Sequence, residues 1–427
     1  MSNDYRDKTA CVVDFGPFQS FADRLAEDFG RTLLYVPWET TMPKSDTLQI
    51  GVGLPGVEKV DAIWPHLSDI DLFVFPDIHH GALQEYLVSI GKRVWGSRMG
   101  EELEVFRDYQ KQVFKDAGAP IAPYVVLKGL TALRAHLKKH EDQYVKVNRA
   151  RADCETFHAE SYRLAEPRLD ALAHGLGPRA ETIEFIVEDS IPDAIEIAWD
   201  GYTVDGQFPA RSLVGIETKD KGYVGCMQEW GDVFEGLREL NAIAAPMLKA
   251  YGYRNFWSME ARITKDGTPW LIDPCARAGS PPHEVELLEY TNLSDILWYG
   301  AEGELVDPVP AGPWVCQVQL RSDAPPETWQ CVEIPPEHER AVKLHFRARI
   351  NERDYVTPVG VKQGIIGSVC ATGETLEAVK EEIGEIAGSL KGCYLDAPLH
   401  ALDDAEKHIE DLQEFHITLA PSEVSAA

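Results

Sequence analysis

Short apolar runs separated by segments of helical pattern fill the first hundred residues. Residues 9–15 (TACVVDF), 32–38 (TLLYVPW), 72–76 (LFVFP) and 93–96 (RVWG) read as strands, and FQSFADRLAEDF and LQEYLVSI as helices between them. Strand–helix alternation at this spacing predicts a parallel α/β sheet, in which ligands bind beyond the carboxyl ends of the strands. Those ends are Asp14-Phe15-Gly16 and the segment from Pro76 to Gly81. His79 and His80 in the second end read as a surface loop, because adjacent histidines point in different directions.

Further on, a helical pattern runs from Met99 to Gly118 and is closed by Gly118 and Pro120, with Arg107 and Lys111 one turn apart on one face. Tyr144 to Val147 is a strand with Lys146 at its centre, and a strand interior seldom holds a lysine without a partner. Strands come next at 181–187, ending in Glu188, and at 194–198 around Glu196. Beyond them lie a hairpin at 199–208 and a basic, glycine-bearing loop from Lys219 to Gly225, which reads equally as a lid or as a plain mobile loop. Residues 283–302 are helical, 308–313 form a proline-rich linker, and 364–380 read as strand, turn and helix, with Thr375 at the helix start. The tail from 418 is expected to be disordered.

The most informative element is the hairpin formed by Asn255–Ile263 and Trp270–Asp273. Centred on Asp266-Gly267, opposed residues sum to 533, so Glu260 meets Asp273, Ser258 meets Cys275 and Arg262 meets Leu271. Alternation then places Ser258, Glu260, Arg262, Asp273 and Cys275 on one face, and Trp257, Met259, Ala261, Ile263, Trp270 and Ile272 on an apolar, core-facing one. Two directly opposed carboxylates destabilise a sheet unless a cation joins them. Mg²⁺ suits hard oxygen ligands; the alternative is a solvated face on which Arg262 neutralises the pair.

Composition narrows the field. The chain has 427 residues, enough for about three domains. With 41 basic and 70 acidic residues its formal charge is −29, which argues against a broad nucleic-acid or anionic-membrane surface. Eight scattered cysteines without a Cys-x-x-Cys pair read as reduced thiols of a cytoplasmic protein, and no apolar run is long enough to span a membrane.

The hairpin and the irregular segment after it resemble the metal-binding end of the ATP-grasp ligases. The most similar family is phosphoribosylamine–glycine ligase, whose Glu-Phe-Asn-x-Arg-Phe-Gly-Asp-Pro pattern is met by residues 273–281 (DPCARAGSP), with Arg277, Gly279 and Pro281 in agreement. The segment 364–380 is similar to that family's C-terminal domain, and the resemblance runs nearly end to end. It implies an α/β protein with a pre-ATP-grasp parallel α/β domain at 1–105, an ATP-grasp α+β domain at 106–310, a small C-terminal α+β domain at 311–417 and a tail at 418–427. It implies ATP and Mg²⁺ (or Mn²⁺), with the metal on Glu260 and Asp273 and the nucleotide on Arg107, Lys146, Arg151, Glu188 and Glu196. Residues 185–189 become the hinge whose backbone edge meets adenine. Arg277, Lys221 and Arg262 become the cations attending the chemistry. The implied reaction joins a small carboxylate to an amine through an acyl-phosphate, and leaves a homodimer open. The alternative is a catalytically inactive nucleotide-binding scaffold.

Three departures bear on the substrates. The loop 148–153 has no glycine, so Arg149 and Arg151 would do by charge what the family does by backbone. Cys275 stands where the family places a metal-binding Asn, and a thiol is a poor Mg²⁺ ligand. The segment DFGPF lacks a glycine-rich, basic phosphate grip, so the resemblance does not by itself imply purine synthesis, and a ligase acting on another amine is the expectation. Carboxylation or direct phosphoryl transfer on the same fold is a third reading.

Overall fold

Five parallel strands open a computed structural model that describes residues 4–37, 46–149, 156–325, 327–358 and 364–422. Their order across the sheet is Val57–Val60, Phe29–Tyr35, Tyr5–Val13, Leu72–Val74, Arg93–Trp95. The four expected strands are present. The fifth, Val57–Val60, buries only its last residue and so carries too little apolar signal to be read from sequence. The first helix, Ser20–Leu25, is shorter than its pattern suggests.

The helical run after Met99 breaks at Phe106 (φ −113°, ψ 86°) into Glu102–Val105 and Arg107–Asp116. The break has a local cause. The Arg107 N–H donates to the Asn148 carbonyl (3.2 Å) and the Asp108 N–H to Asn148 Oδ1 (2.9 Å), so Asn148 supplies the cap of a second helix. As a result Arg107, Gln110, Lys111 and Phe114 turn inward.

What they turn toward is a four-stranded antiparallel sheet, ordered Tyr124–Lys128, Glu184–Asp189, Gln143–Val147, Phe157–Ala159. Leu133 and Leu137 of helix Leu130–Leu137 and Leu169 of helix Tyr162–Leu176 bury its Val145, Phe185 and Val187. A larger sheet holds, in order, Pro269–Cys275, Arg254–Thr264, Ala194–Val204, Arg211–Thr218, Gly222–Glu229, Trp314–Ser322, Ile365–Gly373 and Val342–Leu344. It runs unbroken past the linker at 308–313, because Gly222–Glu229 pairs with Trp314–Ser322. Helix Leu376–Ser389 covers its far end and starts where expected, with Thr375 Oγ1 accepting from the Ala378 N–H (3.2 Å).

Disorder from 418 onward does not hold over residues 418–422. Ile417 and Leu419 are buried, Gln228 Nε2 donates to the Ala420 carbonyl (2.9 Å), and the Ser422 N–H donates to Met227 (3.1 Å). Among the described residues no helix is long and apolar enough to cross a membrane.

Candidate active site

Glu260 and Asp273 do face one another, although the turn that brings them together differs from the expected one. Thr264 and Thr268 close a three-residue loop in which Gly267 takes φ +85°, a conformation glycine adopts without strain. From that turn Ile263 pairs with Pro269, Arg262 with Trp270 and Ala261 with Leu271. Beyond a register shift, Glu260 pairs with Asp273 and Ser258 with Cys275. Ile272 is the extra residue of a bulge. Arg262 therefore opposes Trp270 rather than Leu271, and Leu271 enters the core while Trp270 and Ile272 stay half-buried. The bulge also frees the Ile272 carbonyl, which accepts from Lys111 Nζ (2.8 Å).

Cations reach this corner from the facing sheet and helix. Lys146 Nζ lies 2.7 Å from Asp273 and 3.4 Å from Glu188, and Lys111 Nζ lies 3.0 Å from Glu188. Arg107 Nη1 donates to the Val147 carbonyl (2.9 Å). Burial acts to raise the Asp273 carboxyl, but Lys146, Lys111 and Arg107 outweigh it and hold that group below its usual range. Glu188 is lowered in the same way by Lys146 and Lys111 against burial, and Lys146 is raised by Asp273 and Glu188 against burial. Glu260 behaves oppositely: burial pushes it well above its usual range, and Glu217, Glu196 and Asp273 add to this while Lys219 opposes it.

Arg107, Glu260 and Asp273 border a cavity of about 370 Å³ whose wall also includes Ser258, Cys275, Arg277, Lys219 and His345. Arg277 is half-buried against Glu104 (2.9 Å), with Asp77 at 3.9 Å, and the second Glu104 oxygen accepts from the Ala276 N–H (2.8 Å). Burial pushes the Cys275 thiol well above its usual range. His79 is exposed, whereas His80 is half-buried and stacks on Phe15 at 5.0 Å.

The structure thus gathers Arg107, Lys146, Glu188, Glu260, Asp273 and Arg277. Lys221 is not in the cavity wall; Lys219, two residues earlier in the same turn, is. Arg262 donates to the Ala194 carbonyl (3.0 Å) and opposes Glu196 on the neighbouring strand, so both sit beside the cavity rather than in its wall. Lys146, and not Arg262, is the cation on Asp273. The backbone of 185–188 is paired on both sides, to Gln143–Val147 and Tyr124–Lys128, which leaves no open edge for a base along that stretch. Arg151 lies outside the described residues.

Lys111 and Glu104 join the site without a sequence signal that marks them for it. Both sit in an amphipathic helical stretch whose polar face looks solvated until the break at Phe106 turns it inward. A buried acid stands behind the wall: Asp200, opposite Ser258, accepts from the Tyr223 hydroxyl (2.8 Å), and burial pushes it up to about 6. A raised carboxyl stabilises the fold fully below its unfolded pKa of about 4, and that contribution is lost as pH rises through its folded pKa of about 6. Asp200→Asn is therefore expected to raise the unfolding free energy measured in urea at pH 7.5 but not at pH 4, by about 3 kcal/mol, roughly two pKa units' worth.

The strand orders and the facing sheets define the ATP-grasp fold. The chain is similar to phosphoribosylamine–glycine ligase from Thermotoga maritima, with a TM-score of 0.68 and 17% identity over 91% of this chain and 98% of that one. The biotin carboxylase domain of Hydrogenobacter thermophilus 2-oxoglutarate carboxylase, solved with MgADP and bicarbonate, gives a TM-score of 0.66 and 12% identity over 96% of each chain. N5-carboxyaminoimidazole ribonucleotide synthetase from Thermus thermophilus gives 0.58 and 15% over 89% of this chain and 98% of that one. No protein-family model and no curated protein matches the sequence.

Proposed function

We propose that this protein is an ATP-dependent carboxylate–amine ligase, forming an amide through an acyl-phosphate with release of ADP and phosphate. The observation that carries the reading is the opposed pair Glu260 and Asp273, met by Lys146 from the facing sheet, on the wall of one cavity. A structural neighbour solved with MgADP supports the nucleotide. In this reading residues 1–105, 106–310 and 311–417 are the pre-ATP-grasp, ATP-grasp and C-terminal domains.

Mg²⁺ (or Mn²⁺) fits Glu260 and Asp273. Both offer hard oxygen donors, and the charge crowded around Glu260 exceeds what Lys219 offsets. Bound there, the ion would neutralise phosphate oxygens. The chain's own groups do the rest. Arg107 and Lys146 hold the nucleotide phosphates, Glu188 fixes both Lys111 and Lys146, and Glu196 is left to accept from ribose hydroxyls. Lys219 approaches the transferred phosphoryl group, and Arg277, steadied by Glu104, faces the substrate carboxylate. Phosphoryl transfer of this kind needs positioning and charge neutralisation more than a protein nucleophile.

The test is calorimetric titration with a non-hydrolysable ATP analogue, with and without Mg²⁺, and then a screen of acid and amine pairs for ADP release. Mg²⁺-dependent binding is expected, and its absence would sink the proposal. Lys219→Ala should weaken that binding about tenfold, the worth of a modest charge-assisted hydrogen bond. Lys221→Ala should leave it unchanged, and equal losses in both variants would remove Lys219 from the site. A second reading, a scaffold that binds nucleotide without catalysis, rests on Cys275. Its thiol stays protonated beside the carboxylates and offers the metal nothing. Mg²⁺-dependent binding with no ADP release from any pair would favour it.

A further inference from the structure

An amine reaches a ligase at neutral pH as an ammonium ion, and its lone pair is unavailable until a base removes a proton. The cavity wall holds one imidazole among its described residues, His345. We propose that His345, oriented by Glu284, is the base that accepts this proton; the proposal rests on the ligase reading.

The placement of His345 is over-determined. It comes directly after strand Val342–Leu344, and its N–H donates to the Ile366 carbonyl (2.8 Å). The next N–H, of Phe346, donates to Gly16 (2.9 Å), and a Cβ on Gly16 would stand 2.5 Å from the Phe346 ring. The first strand's loop and His345 are thereby locked together.

On the ring, Nε2 lies 2.8 Å from Glu284 Oε1. Glu284 is fully buried in helix His283–Glu289, where Gln317 Nε2 donates to its Oε2 (2.7 Å) and Ser280 Oγ to its Oε1 (3.3 Å). Burial acts to raise Glu284, but His283, His345 and Gln317 outweigh it and lower it to about 2, so it is a carboxylate. His283 sits 3.1 Å from the same group, yet burial lowers it to about 4, its Nδ1 is bonded to the Gly279 carbonyl, and it is not in the cavity wall. Of the two histidines, only His345 both touches the carboxylate and borders the cavity.

Neutral His345 donating from Nε2 to Glu284 has its lone pair on Nδ1, and Glu284 stabilises the imidazolium formed when Nδ1 takes a proton. The amine nitrogen then forms the C–N bond to the acyl carbon. The C–O bond to phosphate breaks with its electron pair, the second amine proton leaves with the phosphate, and His345 returns its proton to water. Glu284 is a positioning residue in this scheme. The guanidinium groups of the wall, on Arg107 and Arg277, carry donors and no acceptor and so cannot take the proton.

The experiment compares the whole protein with H345Q, using the acid that the ADP-release screen identifies and either methylamine or hydroxylamine as nucleophile. Hydroxylamine is unprotonated at neutral pH and does not need the base. H345Q is expected to slow methylamine turnover about 100-fold, the scale of general base catalysis, and hydroxylamine turnover less than threefold. Equal slowing of both, or of neither, would overturn the role. Ring ¹⁵N spectra of the wild-type protein need neither substrate nor variant. The Nε2–H tautomer of His345 is expected, and an Nδ1–H tautomer would overturn the proposal even with turnover intact. Loss of the ligase reading alone would show instead as absent nucleotide binding with the tautomer as expected.

Discussion

Glu260→Gln and Asp273→Asn should each abolish Mg²⁺-dependent nucleotide binding while moving stability in opposite directions. Both carboxylates offer the same donor to a cation, so either loss removes half of the protein's share of the coordination. Their surroundings differ. Burial together with Glu217, Glu196 and Asp273 disfavours the charged form of Glu260, so Gln relieves repulsion and is expected to raise stability by up to about 1 kcal/mol, the scale of a directly opposed cross-strand pair. Asp273 is held ionised by Lys146, Lys111 and Arg107, and Asn leaves Lys146 with the more distant Glu188 alone. Loss of one partner of a buried pair costs about 3–5 kcal/mol; with Asp273 still 31% exposed, a loss of about 2 kcal/mol is expected. Because Asp273 is lowered, that contribution is present above its unfolded pKa of about 4 and fades on acidification. Urea unfolding at pH 7.5 and pH 3, beside calorimetry of the Mg²⁺–nucleotide complex, checks both halves. Parallel stability changes in the two variants would mean the charges are not arranged as described.

Lys146→Met is expected to be the most damaging single change. The side chain is buried with two acidic partners, Asp273 and Glu188, and only Glu188 retains another lysine when it is removed. Leaving a charge uncompensated should cost about 3 kcal/mol in urea, together with loss of nucleotide binding. The double variant Lys146→Met with Asp273→Asn should recover stability but not binding, because the orphaned charge is gone while the phosphate contact is still missing. A double variant no more stable than Lys146→Met alone would mean that packing, and not charge, sets the cost.

The two sheets differ in how openly the sequence declares them. Most strands of the parallel sheet carry a short apolar run, such as Ala10 to Val13 and Leu72 to Val74, whose burial on both faces leaves no alternating pattern. Val57–Val60 is the exception, because an edge strand with one buried residue has no apolar period. Glu260 and Asp273 are legible because a hairpin is a local object: alternation and a nearby turn decide which side chains meet. The real turn is displaced by half a residue pair from the expected one and the bulge at Ile272 cancels the difference, so the opposed carboxylates agree with expectation while Trp270 and Ile272 do not.

Local pairings are written in the chain itself: the parallel strands, the hairpin carboxylates, the Thr375 cap and the need of Lys146 for a partner. The identity of that partner, and of most others in the site, comes from the packing of distant elements. Lys146 lies 127 positions from Asp273, and Lys111 lies 161 positions from Ile272. Glu284 finds His345 from 61 positions away, and Lys219 rather than Lys221 lines the cavity. The difference is one of range. Backbone periodicity and turn geometry act over a few residues, whereas a buried charge is satisfied by whichever opposite charge the packed sheets bring within about 3–4 Å.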